Sequence, residues 1–151
     1  MKRYYIAYGS NLNIHQMAFR CPDAKRIGKT VLKDWRLLFK GSKTGSYLTI
    51  EREVGSSVPV GVWEVSERDE RMLDRYEGYP TFYYKKHLVL MRNGKPEDAF
   101  VYIMHEDRPI GIPTEYYVET CLEGYRDFGM DQSVLKEAIK YSYENVKGET
   151  A

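Results

Sequence analysis

The segment Tyr4-Tyr5-Ile6-Ala7-Tyr8-Gly9-Ser10-Asn11-Leu12 passes abruptly from aromatic and aliphatic residues to a small polar turn. It reads as a strand over residues 2 to 8 that stops at Gly9, with a helix predicted over 13 to 20. A turn of this kind collects backbone donors. Gly9 lets the chain approach a ligand closely, Ser10 or Asn11 can cap, and the first-turn N–H groups of the helix point outward with a favourable dipole. Two readings stand at this point: a plain strand-to-helix turn, or one that holds a carboxylate or another small anion.

Outward from this segment, further strands are expected over residues 31 to 40, 46 to 53, 58 to 65, 82 to 91 and 98 to 104, each rich in β-branched or aromatic residues. Gly41-Ser42-Lys43-Thr44-Gly45 and Arg92-Asn93-Gly94-Lys95-Pro96 have hairpin chemistry, so much of the sheet should be antiparallel. Glycine spacing in the first of these, with a strand after it, does not meet the phosphate-loop pattern. Six strands imply a substantial sheet or a small barrel. Helices are predicted over 67 to 76, 114 to 127 and 132 to 146. With no internal repeat or long linker, residues 1 to 151 read as one domain.

Composition narrows the function classes. The 151 residues carry 23 basic and 22 acidic side chains, a formal charge of +1, which gives no field for nucleic acid or a membrane surface. Cys21 and Cys121 have no metal-ligand or C-x-x-C spacing and read as free thiols. Met1-Lys2-Arg3 runs straight into the first strand without a signal-peptide core, and no 18-residue apolar run follows, so a soluble cytoplasmic protein is expected. His15, His87 and His105 are scattered, and Ser10 lies outside a G-x-S-x-G elbow.

A second constellation begins at Ser66-Glu67-Arg68-Asp69-Glu70, a cap followed by acids, with Asp69 in the place of the capping-box Glu. Its helix stops at Asp74-Arg75-Tyr76-Glu77-Gly78-Tyr79-Pro80. Glu77 therefore sits where exposed carbonyls disfavour a negative charge, next to residues that can exclude water. Both effects raise its pKa toward the range of a general base, although from its position alone Glu77 reads first as an ordinary solvated acid at a helix end, one of 22 acids in the chain. Strand alternation sets Phe82, Tyr84, Leu88 and Leu90 on one face and Phe100, Tyr102 and Met104 on one face of another strand, turning Tyr84 and Tyr102 inward. Tyr117, Cys121, Tyr125 and Phe128 form a helical stripe of core character.

Taken in order, the Tyr-Gly-Ser-Asn-Leu strand end, the Glu-Gly-Tyr-Pro helix end, Pro113-Thr114-Glu115-Tyr116-Tyr117 and Gly124-Tyr125-Arg126-Asp127-Phe128-Gly129 resemble the γ-glutamylcyclotransferase family over nearly the whole chain. The resemblance implies an α+β fold: a small mixed, largely antiparallel β-barrel of about six strands with flanking helices. It implies Glu77 as the catalytic acid/base, Tyr8, Gly9, Ser10, Asn11 and Leu12 as the loop holding a γ-glutamyl group, and Tyr84, Tyr102 and Tyr117 as further lining. The implied reaction uses no cofactor and no metal: the substrate's α-amino group attacks its own γ-carbonyl, giving 5-oxoproline and a free amine. The partner is then a small γ-glutamyl molecule, not nucleic acid or a membrane, and the oligomeric state stays open. Two other readings remain beside it: a non-catalytic or differently specific binding domain of the same fold, and an aromatic barrel that stacks nucleic-acid bases, with Lys85-Lys86-His87 as its compact basic cluster.

Overall fold

Two hairpins set the architecture of the chain, seen in a computed structural model that describes residues 3 to 146. Residue 2, the expected start of the first strand, lies outside the described residues. Strand β1 (Arg3–Ala7) leads through a 3-10 turn (Ser10–Leu12) into α1 (Ile14–Arg20). Strands β2 (Lys25–Lys40) and β3 (Tyr47–Val65) form the first hairpin, followed by α2 (Glu67–Tyr76). The second hairpin pairs β4 (Tyr83–Arg92) with β5 (Lys95–Met104), and α3 (Glu115–Asp127) and α4 (Ser133–Asn145) come last. No helix among the described residues is long and apolar enough to cross a membrane.

The sheet order is β2-β3-β1-β5-β4, antiparallel except where β1 runs parallel to β5. It is an open sheet, so the barrel is a loose one. Side-chain bonds join strands that are not neighbours in it: the Met104 N–H of β5 donates to Thr49 Oγ1 of β3 at 2.9 Å, and the Tyr83 hydroxyl of β4 donates to the Leu48 carbonyl of β3 at 2.8 Å. The turn chemistry holds in the second hairpin, where Asn93 and Gly94 both take positive φ, 52° and 75°, the pair a type I′ connection needs.

Strand number differs from the sequence expectation: five, not six. Val54-Gly55-Ser56-Ser57 was expected to separate two strands, yet β3 runs through it. Asp34 at φ 69° and Gly55 at φ 93° face each other where the β2–β3 register shifts, and the Gly55 N–H donates to Asp34 Oδ1 at 3.0 Å. The turn-like residues therefore build a bulge that bends a continuous hairpin instead of ending it. Strand β2 also starts six residues early, at Lys25, because its solvent-facing first third is charged and lacks the apolar alternation that marks a strand.

Apolar residues of β1, β3 and β5 fill the interior, including Ile6, Ile50, Val60 and Phe100, and both cysteines are buried and free. Leu12 has no exposed surface. Its burial contributes about 1.5–3 kcal/mol, and it is possible only because two neighbours lack a side chain. A Cβ on Gly61 would lie 2.6 Å from Leu12 Cδ2 and from Phe128 Cε2. One on Gly124 would lie 2.7 Å from Leu12 Cβ and from the Asn13 nitrogen. Helix α3 is thereby pressed against the turn that follows β1.

This contact makes an unusual prediction for a helix interior, where alanine normally outperforms glycine by about 1 kcal/mol. Gly124→Ala should lose about 1–3 kcal/mol of stability in denaturant titrations, because the backbone of Asn13 cannot yield as a side chain would. A neutral or stabilised variant contradicts the contact.

Candidate active site

Helix α2 is built to place Glu77. At its start the Asp69 N–H donates to Ser66 Oγ at 3.1 Å and the Ser66 N–H donates to the Asp69 carboxylate at 3.4 Å, a capping box with Asp in the third position. At its end Gly78 takes φ 64°, its N–H donates to Arg75 at 3.2 Å, and the Tyr79 N–H reaches back to Asp74 at 2.9 Å. These are the two bonds of a Schellman stop. Glu77 is thus the last residue with helical dihedrals, and its carboxyl faces the turn after β1.

That turn is organised around Asn11. Its Nδ2 donates to the Tyr5 hydroxyl at 2.8 Å and lies 3.4 Å from Glu77 Oε1, while its Oδ1 accepts from Arg20 at 2.6 Å. The Asn11 carbonyl accepts from Trp63 Nε1 at 2.8 Å. Within the turn the first internal bond is made by the Leu12 N–H to the Gly9 carbonyl at 3.0 Å, so the amides of Gly9, Ser10 and Asn11 precede it. Helix α1 is a different matter. Asn13, not Ser10 or Asn11, caps it through the Gln16 N–H at 3.0 Å, and the Asp127 carboxylate takes the Ile14 N–H at 2.9 Å. Its first turn is already occupied by side chains, so an anion would meet the amides of the turn rather than those of the helix.

A cavity of about 30 Å³ lies between the turn and Glu77, lined also by Tyr5, Tyr8, Tyr83, Tyr102 and Tyr117. An adjoining cavity of about 200 Å³ shares Ser10, Glu77, Tyr83 and Tyr117 with it and adds Tyr47, Tyr76 and Phe82. A larger groove, about 540 Å³, runs between α4 and the β2–β3 hairpin, but its polar groups are strung along an open surface instead of converging on one point. Gly9 borders Tyr117 closely: a Cβ there would lie 3.2 Å from the Tyr117 oxygen.

Among the described residues Glu77 is the only carboxylate lining either of these two adjoining cavities. Desolvation raises its pKa to about 7, with the Arg20 charge pulling the other way. Tyr5, Tyr8, Tyr83 and Tyr117 are pushed upward as well, chiefly by burial, so they stay protonated hydroxyls. The Tyr8 hydroxyl donates to the Tyr102 carbonyl at 2.6 Å, and the Tyr117 oxygen accepts the Leu48 N–H at 3.1 Å. Behind the cavity the Tyr102 hydroxyl donates to Asp74 at 2.6 Å, and Lys85 bridges Asp74 at 2.8 Å and Glu70 at 2.7 Å. Among the described residues no three His, Cys, Asp or Glu side chains gather into a group able to hold a metal ion.

Of the residues singled out in the sequence, Tyr8, Gly9, Ser10, Asn11, Glu77, Tyr102 and Tyr117 converge on the cavity. Leu12 does not; it anchors the turn from the core side. Tyr84 lies outside both cavities, with its hydroxyl donated to Glu106, and Tyr83 takes the inward place. The inward side changes along β4: Leu88 and Leu90 keep the expected inward side, but at the strand's start Tyr83 and Lys85 turn inward, where Glu70 and Asp74 neutralise Lys85 and its ammonium lies 4.7 Å from the Tyr79 ring centre. Lys85 is accordingly not part of a solvated basic cluster. Tyr5 and Leu48 were also missed, and Leu48 carries no side-chain signal at all, since it binds Tyr83 and Tyr117 through its backbone.

Residues 5–119 match the model of a family described as gamma-glutamyl cyclotransferase, AIG2-like. No curated protein matches the chain. A solved structure named gamma-glutamyl cyclotransferase is 21% identical, with a TM-score of 0.82, and the match covers 100% of this chain and 91% of that one. An uncharacterized protein from Homo sapiens is 23% identical, TM-score 0.81, covering 99% of this chain and 90% of that one. YkqA from Bacillus subtilis is 17% identical, TM-score 0.78, covering 97% of this chain but 56% of that one. At these identities the likeness is one of fold.

The raised carboxyl has a stability consequence with a definite sign. From about pH 4.5 to 7 the unfolded chain releases the Glu77 proton while the folded chain keeps it, so Glu77 lowers stability progressively across that window as pH rises. Glu77→Gln removes this loss. Its melting temperature should exceed that of the wild type at pH 8, with the margin shrinking toward pH 4.5; a margin that does not change with pH contradicts the assignment.

Proposed function

The chain belongs to the gamma-glutamyl cyclotransferase, AIG2-like family, and from that premise we propose that it converts a γ-glutamyl amide or amine into 5-oxoproline and a free amine, with Glu77 as acid and base. The observation that carries this reading is the raised Glu77 carboxyl, near pKa 7, set across a small cavity from the Gly9–Asn11 amides. A group with that pKa is half ionised near neutral pH, which suits a proton carrier.

The substrate supplies its own nucleophile. Its α-ammonium first gives a proton to Glu77, and the freed amine attacks the γ-carbonyl carbon to form a five-membered ring. Intramolecular attack of this kind can correspond to an effective molarity of about 10⁵ M or more. Glu77 then returns the proton to the amide nitrogen, whose bond to the γ-carbon breaks. A second proton leaves the ring nitrogen by the same carboxylate, so two protons leave the attacking nitrogen and two reach the departing one. The amides of Gly9, Ser10 and Asn11 are suited to the substrate's carboxylate or to the tetrahedral oxyanion, and the tyrosines, which keep their protons, cannot act as bases. Cys21 and Cys121 are buried, with thiols pushed up to about 12, so they are spectators, and two unpaired cysteines accord with a cytoplasmic setting.

Purified protein incubated with γ-glutamyl peptides and γ-glutamyl amines should release 5-oxoproline, and Glu77→Gln should lower kcat by about 10²–10⁴ with an unchanged circular dichroism spectrum. Near wild-type release by a folded Glu77→Gln protein would sink this assignment.

A further inference from the structure

If cyclisation takes place between Glu77 and the turn, every atom beyond the departing nitrogen must lie in the adjoining cavity of about 200 Å³. That mouth is walled by aromatic rings set nearly at right angles. Tyr47 stands 87° to Phe82 with ring centres 6.4 Å apart, and 89° to Tyr117 at 5.1 Å. Tyr47 and Tyr76 are each 47% exposed at its rim, apolar surface that an incoming group would cover.

A box of tyrosine and phenylalanine faces can hold either a cation or another ring, and the surroundings decide between them. The Arg20 guanidinium already lies 3.7 Å from the Tyr76 ring centre, and that of Arg108 lies 4.2 Å from the Phe82 ring centre. Each of these rings has given one face to a cation. An ammonium on the opposite face would stand only about 7 Å from a like charge, within the screening length of about 8 Å, and Glu77, which lines the same cavity, is neutral once it has taken the substrate's proton and so does not offset that repulsion, whereas a neutral ring meets none and a carboxylate is attracted. We infer that the mouth bounded by Tyr47, Tyr76 and Phe82 is a leaving-group subsite for aromatic amines, neutral or carboxylate-bearing, that excludes cationic alkylamines.

This inference rests on the cyclisation reading, and its test separates the two. Substrates would be γ-glutamyl-phenylalanine, γ-glutamyl-alanine and a γ-glutamyl-lysine joined through the side-chain nitrogen, each followed as 5-oxoproline. The expected order of kcat/KM is phenylalanine over alanine over lysine, with about tenfold or more separating the first two. Tyr47→Leu and Phe82→Leu should each narrow the phenylalanine-to-alanine ratio severalfold, and Arg108→Gln should raise the lysine substrate relative to alanine. Tyr47 is exposed enough for its variant to fold, so the ratio is measurable even if the Phe82 variant is not. Release of 5-oxoproline with alanine or lysine preferred overturns the subsite and leaves the cyclisation reading intact. No 5-oxoproline from any of the three overturns both.

Discussion

The side chain and carbonyl of Asn11 join four parts of the molecule. Through Tyr5 it is tied to β1, through Arg20 to α1, through Trp63 to β3 and through Glu77 to the end of α2. The charge on Arg20 leaves the Asn11 oxygen one role, as acceptor, and this orients the amide so that its N–H groups face Tyr5 and the carboxylate. A turn held from so many sides cannot drift relative to Glu77, although about sixty-six residues separate the two in sequence. The same turn is pinned from below by Leu12, whose seat exists because Gly61 and Gly124 have no side chains.

Two opposing effects set the character of Glu77. Burial among tyrosines favours the neutral acid, and Arg20, acting over a longer distance through the Asn11 bridge, favours the carboxylate. Burial is the larger and leaves the group near 7. A group tuned this way can both take and return a proton, whereas the tyrosines around it, also shifted upward by burial, keep theirs. On the far side of Tyr102 the Asp74, Lys85 and Glu70 charges neutralise one another at close range, which fixes that hydroxyl away from the turn.

Much of this was legible in the sequence wherever local chemistry decides the structure. The capping box of Ser66 and Asp69, the stop at Gly78 and the Asn93-Gly94 turn each follow from a few neighbouring residues, and with them came the position of Glu77. Local chemistry misled where a distant partner overruled it. Gly55 reads as a break, but Asp34 across the hairpin turns it into a bulge. Lys85 reads as an outward residue, but Glu70 and Asp74 from α2 draw it inward, and with it Tyr83 replaces Tyr84 at the cavity. Asp127, more than a hundred residues away, occupies the helix end that Ser10 or Asn11 was expected to cap. Leu48 takes part through its backbone alone, for which side-chain pattern offers no signal.

In the proposed reaction burial sets the working proton of Glu77, and the pH dependence of kcat/KM for a γ-glutamyl substrate tests this most directly, because that quantity reports the ionisation of the free enzyme. The expected result is an acid limb with an apparent pKa near 7. An acid limb at the ordinary glutamate value of about 4.3, or none at all, contradicts it.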